Sequence, residues 1–361
     1  MRSTEHSNEY VRPLRVVVGH NSKAEKGFHS RKRMPKSKTL APGVPATPTH
    51  DLHYNGGKTI ENLVFTNFYV GGSAAWKSSD MDSIDQALAE AMSDTGLNNV
   101  IVQYYPSGKI TSTFKGSQIL AGPPPKTVSQ GDVENLLRSL FQGGVLDGFD
   151  LPNTVFNFML PSGTILNTNE APTSGAIMAR VEGTRHAKPA AEPGAAVPHE
   201  EEEDSTNGLG GYHGSIHVSS TKDTQTLYYA VGVFSEQLPN GKTNGIPVFD
   251  QSWKNVVATF YHELNEARTD PDVQDAIDAG NDPSATSFLG WTSSEGEECG
   301  DFPVFEANPL SEVFQEIKLS SGNGTVPVQY QYSDADHGPG LPRTSAAKLP
   351  AGDKAMKQKV G

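Results

Sequence analysis

Cysteine is nearly absent from this chain of 361 residues: Cys299 stands alone, so no internal disulfide framework is available and cysteine usage says nothing of redox compartment. No stretch approaches the roughly 18 to 20 apolar residues that a membrane-spanning helix needs, so no span is expected. Near the N-terminus only Val16-Val17-Val18 is apolar, far short of a signal peptide's core. That predicts no classical secretion and leaves a cytoplasmic or non-classically secreted location. Glycine-rich phosphate-binding patterns are missing, which argues against a nucleotide enzyme. Hydrophobic residues make up only 35% of the chain, which predicts that some of its length lies outside a core.

Basic residues become scarce after residue 40. The first 40 residues hold ten Lys and Arg against three acidic residues, whereas the whole chain carries a net charge of −13. An acidic body disfavours nucleic acid as the core's partner, because phosphate contacts need Lys and Arg in quantity. The basic segment reads as a solvated, disordered leader.

What is present predicts one α+β domain over 59–335, between a disordered basic tail at 1–58 and a disordered tail at 336–361. Strand-like runs lie at 63–70, 100–105, 155–160, 214–218, 227–233, 313–319 and 326–332. Helical periodicity marks about 79–95, 130–142 and 252–269. Residues 183–208 break this rhythm with Ala, Pro and Gly and the acidic run Glu200 to Asp204, and read as a mobile surface insertion. No internal repeat is evident. The expected architecture is a mixed or antiparallel sheet packed against about three helices.

The third helix carries the chemistry. Trp253, Val256, Val257, Phe260, Tyr261, Leu264 and Ala267 make one apolar stripe. His262 and Glu266 lie nearly opposite it, one turn apart, projecting in one direction as two ligands of one metal must. The pattern is His-Glu-x-x-Glu, in which Glu266 stands where zinc peptidases carry a second His. Zinc accepts carboxylate oxygen as well as imidazole nitrogen. Glu263, between the two, is placed to take a proton from metal-bound water. The same residues also suit the polar back face of an ordinary surface helix. The acidic turn Glu295-Gly296-Glu297-Glu298-Cys299-Gly300-Asp301 can supply a third ligand, from Glu297, Glu298 or Asp301, and otherwise reads as a solvated loop.

Three pieces together, His262 to Pro271 (HELNEARTDP), Gly290-Trp291 and Glu298-Cys299-Gly300-Asp301, resemble the microbial branch of the EXORDIUM, or phosphate-induced protein, family. Gly211-Tyr212-His213-Gly214, the strand from Leu227 and the run Val328 to Ser333 look like further pieces of that pattern. The likeness covers roughly 62–335 and is patchy before 210. It implies a zincin-like fold and, for microbial members with the His-Glu motif, a zinc metallopeptidase acting on peptide or protein substrates. It equally implies an alternative, a non-catalytic signalling protein like the plant members, in which the motif helix is structural. Within the resemblance Glu298 is preferred as third ligand for its spacing to Asp301. Asn265 departs from the small residue usual there.

His213 and His217 sit on one face of a predicted strand and are candidates to line the same cleft, His213 to orient substrate or bind a transition-state oxygen. Cys299 lacks a cysteine-enzyme motif and reads as structural or as a soft ligand. Asp270, Asp272, Asp275, Asp278 and Asp282 lack calcium-loop spacing and read as solvated.

Overall fold

The computed structural model describes residues 41, 44, 46–173, 204–219, 224–280 and 282–350, with the backbone of Val16–Val18. Most of the expected insertion at 183–208, most of the basic leader and the last eleven residues therefore lie outside the described residues.

Strands in the centre of the molecule present alternate residues to two different cores. In Thr154–Met159, Val155 and Met159 face one layer while Phe156 and Phe158 face the other. This strand belongs to a mixed six-stranded sheet. Its members are β1 (Val16–Val18), β2 (Asn62–Tyr69), β3 (Thr111–Ile119), β4 (Thr154–Met159), β5 (Leu209–Ser219) and β6 (Thr224–Gly232). The spatial order is β1-β5-β6-β4-β2-β3. The β3, β2, β4 and β6 strands run parallel, whereas β5 is antiparallel to both β1 and β6.

Helices cover both faces, so the central strands β2, β4 and β6 are largely buried on both sides. Helix α1 (Ser78–Ser93) runs into the short α2 (Thr95–Ile101), and both lie in the β2-to-β3 crossover. Helix α3 (Gln130–Gln142) starts at a capping box, with Ser129 and Asp132 satisfying each other's backbone N–H. Its Val133, Leu136, Leu137 and Leu140 pack on Phe156, Phe158, Tyr229 and Val231. The opposite face receives α1 and α4 (Ser252–Thr269), whose Val256, Val257, Phe260 and Leu264 meet Phe65, Val155, Tyr228 and Ala230. A hairpin of β7 (Phe314–Lys318) and β8 (Thr325–Gln329) lies over the far side of α4 and adds Val326 and Val328 to the same core. Two further short helices, α5 (Val273–Ala279) and α6 (Asp301–Glu306), follow α4. Gly211 lets α4 close on the sheet, since a Cβ there would lie 2.5 Å from Val231 O and 3.0 Å from Thr259 Cγ2.

The α+β class and the mixed sheet agree with the sequence; several details do not. The run 100–105, expected as a strand, is the end of α2 followed by a 3-10 turn at Val102–Tyr104. An apolar run of six residues serves a buried helix as well as a strand, and length alone does not separate them. Strand β3 has no apolar signature because it is a half-exposed edge. Six α-helices occur among the described residues, not about three, the extra ones being six or seven residues long.

The folded body also extends past 59–335 at both ends. Ala41 and Val44 are buried, His53–Tyr54 pairs with Trp291–Thr292, and Gly338–Pro339 pairs with Tyr332–Ser333. The N–H of Leu52 donates to Asp334 Oδ1 at 3.0 Å and that of Ala347 to Asn99 O at 2.7 Å. No helix among the described residues is long and apolar enough to cross a membrane.

Helix α4 is the hub of this packing. Leu264, fully buried between sheet and hairpin, sets the first test. Leu264→Ala leaves a cavity in that core and is expected to cost about 2–5 kcal/mol, read as a lowered urea midpoint with unchanged slope.

Candidate metal centre

Every residue of α4 from Lys254 to Thr269 is buried, so the polar side of the helix is not a solvated back face. Strands β5 and β8 and the loop 298–301 close over it. His213, His262, Glu263, Glu266, Asp270, Glu298 and Asp301 all have 0% exposure. Where a cleft lined by His213 was expected, these side chains form a buried polar chamber.

His262 is held from behind. Gln329 donates from Nε2 to Gly300 O at 3.1 Å and to Tyr330 O, two groups that only accept, which fixes its amide with Oε1 turned the other way. That Oε1 accepts from Gln331 Nε2 at 2.8 Å and lies 2.9 Å from His262 Nδ1. The proton of neutral His262 therefore belongs on Nδ1, where it donates to Gln329, and Nε2 presents a lone pair. Metal-binding histidines are oriented in this way. Nε2 lies 3.1 Å from Glu266 Oε2 and 4.0 Å from Asp301 Oδ1, and all three atoms are buried without a hydrogen-bond partner.

Three of the carboxylates follow one rule: one oxygen is tethered by a backbone N–H and the other is left over. Gly300 N–H donates to Glu266 Oε1 at 3.0 Å, Glu298 N–H to Asp301 Oδ2 at 3.0 Å and Gly290 N–H to Asp270 Oδ1 at 2.7 Å. Glu266 Oε2, Asp301 Oδ1 and Asp270 Oδ2 have no hydrogen-bond partner, nor has either oxygen of Glu298. Gly300 has to be glycine here, because a Cβ would overlap the His262 ring and lie 2.8 Å from Glu266 Oε1.

His213 enters from β5, on the side opposite Gln329. Its Nδ1 lies 3.3 Å from Glu263 Oε2 and 3.8 Å from Glu266 Oε2, and its Nε2 lies 3.5 Å from Glu298 Oε1 and 3.4 Å from Asp270 O. Two triads thus have mutually close ligand atoms, all within 4.8 Å of one another in each: His262, Glu266 and Asp301, and His213, Glu266 and Glu298. They share Glu266.

Burial dominates the acid–base behaviour of the chamber. It pushes Asp270 up to about 8, against the opposing Gly290 N–H. It also lifts Glu298 and Asp301 well above the usual carboxylate range, with Glu266 adding repulsion in both cases. The His262 imidazole would be lowered by burial, but the carboxylates of Glu266 and Asp301 outweigh this and hold it above its ordinary value. Carboxylates crowded out of water with unused lone pairs, beside a directed imidazole nitrogen, form a donor set for a divalent cation.

The structure brings together His262, Glu266, Glu263, His213 and Glu298. The third group near His262 and Glu266, however, is Asp301; Glu298 converges on Glu266 alongside His213. Glu297 is turned away, with Oε1 3.7 Å from His50 Nδ1 and its other oxygen on Ser293 Oγ. His217 shares a sheet face with His213 but not its chamber: its side chain is 51% exposed and bonds Asp275 Oδ1 at 2.8 Å. Buried Cys299 contacts Thr269 and Gln331 and belongs to neither triad. Asp270 and Asp272, read as solvated, are buried and half-buried, and tied to Gly290 N–H and Tyr228 Oη respectively. Asp270 and Gln329 carry no local signal, because their role arises only when distant segments meet. Comparison of the chain with protein-family models, curated proteins and solved structures found no match.

The raised groups share one sign. Each holds a proton in the folded state that the unfolded chain releases, so its stabilising contribution is complete below the unfolded value and is lost as pH rises through the folded one. In excess chelator, the urea midpoint is expected to fall between about pH 6 and about pH 8.5, with Asp270→Asn flattening the slope. A midpoint rising over that window would contradict the electrostatics.

Proposed function

We propose that this chain is a zinc-dependent, peptidase-like hydrolase whose metal ligands are His262, Glu266 and Asp301. The observation that carries the reading is the convergence of three buried atoms without hydrogen-bond partners, His262 Nε2, Glu266 Oε2 and Asp301 Oδ1. The donor set fits: one imidazole with its proton committed to Gln329 and two carboxylates each tethered by a backbone N–H. When bound, zinc would polarise a scissile carbonyl and supply an acidified water. Glu263, one residue along the helix from His262, would accept the proton of that water, and His213, 3.3 Å from Glu263, would orient the base. Two anionic ligands leave less positive charge on the metal than imidazoles would, so slow or narrow turnover is expected. Unstructured peptide or protein segments are the proposed substrate class.

One observation favours a second reading. Every ligand is fully buried, which suits a metal that only stabilises the fold, because a catalytic metal keeps a position open to substrate; the EXORDIUM-like alternative, a non-catalytic binding or signalling protein with a structural motif helix, needs no metal at all.

Two variants separate these readings. Purified protein is expected to hold zinc that is lost in His262→Ala with the circular dichroism unchanged; no metal after zinc supplementation would remove both metal readings and leave the non-catalytic alternative with a structural motif helix. Glu263→Gln is expected to lower hydrolysis of an unfolded protein substrate by at least about 100-fold while keeping the metal. A metal-loaded wild type without activity on such substrates would leave the stabilising role.

A further inference from the structure

We propose that the chamber takes two divalent cations, the second held by His213 and Glu298 and bridged to the first by Glu266. This rests on the metal reading above and adds a site to it. Three observations carry it.

Glu298 is the first. Both of its oxygens are buried, without hydrogen-bond partners, and Oε1 lies 3.5 Å from His213 Nε2. Unlike Glu266, Asp301 and Asp270, it has no oxygen tethered to backbone, so the fold leaves the whole carboxyl group without a partner. An orphaned carboxylate in a dry site is costly, and a cation that uses both lone-pair sets removes the cost.

Glu266 is the second. Its Oε1 is committed to Gly300 N–H, so only Oε2 faces inward, and that atom lies 3.1 Å from His262 Nε2 and 3.8 Å from His213 Nδ1. Glu266 is also the one residue common to both close triads, as a bridging carboxylate must be. Two-metal sites hold their ions about 3.5–4 Å apart, a separation one shared carboxylate spans.

Charge is the third. Glu263, Glu266, Asp270, Glu298 and Asp301 are five carboxyl groups at 0% exposure. When ionised, their charge exceeds what one divalent cation balances, and a second ion removes most of the excess. His213 fits the same scheme: with Nδ1–H donating to Glu263 Oε2 at 3.3 Å, its Nε2 lone pair turns toward Glu298. Glu263 then orients a ligand as well as facing the chamber. One imidazole and two carboxylates around each ion select Zn²⁺, Mn²⁺ or Fe²⁺ over Mg²⁺ and Ca²⁺, which prefer all-oxygen shells.

The alternative occupant of the second position is a proton: a doubly protonated His213 would donate to Glu263 and to Asp270 O, 3.4 Å away.

The test is metal stoichiometry on the full chain, stripped with chelator and titrated separately with Zn²⁺ and Mn²⁺. The expected result is two ions per chain in the wild type and one in Glu298→Gln, whose neutral amide keeps the side-chain volume. Loaded with Mn²⁺, the wild type is expected to give the electron paramagnetic resonance spectrum of a spin-coupled pair, and Glu298→Gln that of an isolated ion. One ion in the wild type, lost in His262→Ala but kept in Glu298→Gln, overturns the second site and leaves the first. Two ions without spin coupling overturn the bridge. No ion at all overturns this proposal together with the metal reading. The wild-type titration and spectrum decide the matter even where a variant fails to fold.

Discussion

The constraint on which the rest depends is electrostatic: five carboxylates and two imidazoles are packed around the second half of one helix with no exposed surface. Groups of this kind destabilise a fold unless each finds a partner, and apolar residues of similar volume commonly serve stability as well or better. The chain meets part of the demand with backbone. Gly300, Glu298 and Gly290 each donate an N–H to one carboxylate oxygen, which orders the acid and aims its second oxygen inward. The inner oxygens are then unsatisfied by design of the loop, since the same tether that fixes one turns the other toward its neighbours. Unsatisfied buried atoms are uncommon in folded proteins and call for an explanation such as a bound ion.

The fold supplies the rigidity that such crowding requires. Helix α4 lies between the sheet and the β7–β8 hairpin, and its far end is anchored by Arg268. That side chain is fully buried, donates from Nη2 to Glu61 O and Thr111 O at 3.0 Å each, and sits beside the Tyr105 ring. Its own carbonyl accepts from Tyr105 Oη at 2.9 Å. A positive side chain at the helix C-terminus also opposes the local dipole. The turn bearing Glu263 and Glu266 therefore has little freedom to rotate, and the two acids keep distinct directions, one toward His213 and one between the two histidines.

How much of this was legible in the sequence depends on how local the cause is. Helices 130–142 and 252–269 were readable, because apolar stripes at helical spacing lie within the segments themselves. His262, Glu263 and Glu266 were readable as a motif for the same reason. The burial of their helix face was not, since what covers it, Gln329 and the 298–301 loop, arrives from at least thirty residues away. The third ligand was ambiguous because Glu297, Glu298 and Asp301 are equivalent in one dimension; loop geometry sends the first to His50, the second to His213 and the third to His262. The 100–105 run misled because its apolar residues are buried all round, which erases the periodicity that separates helix from strand.

Three segments meet at the chamber: β5 through His213, α4 through His262 and Glu266, and the loop through Glu298 and Asp301. An ion shared among them ties together stretches separated by tens of residues, and closing long loops is where a cross-link removes the most entropy from the unfolded chain. With Cys299 as the single cysteine, no disulfide can do this work within the chain. The cross-link also tightens where the packing is most intolerant, at Gly300, whose missing side chain lets the loop press against His262 and Glu266. Helix α4 and β5 find their places through apolar contacts, and Cys299 and Phe302 seat the loop in a core with Leu52, Trp291 and Tyr332. What that packing leaves unanswered is the inward acids, whose burial a cation, or protons in its place, would relieve.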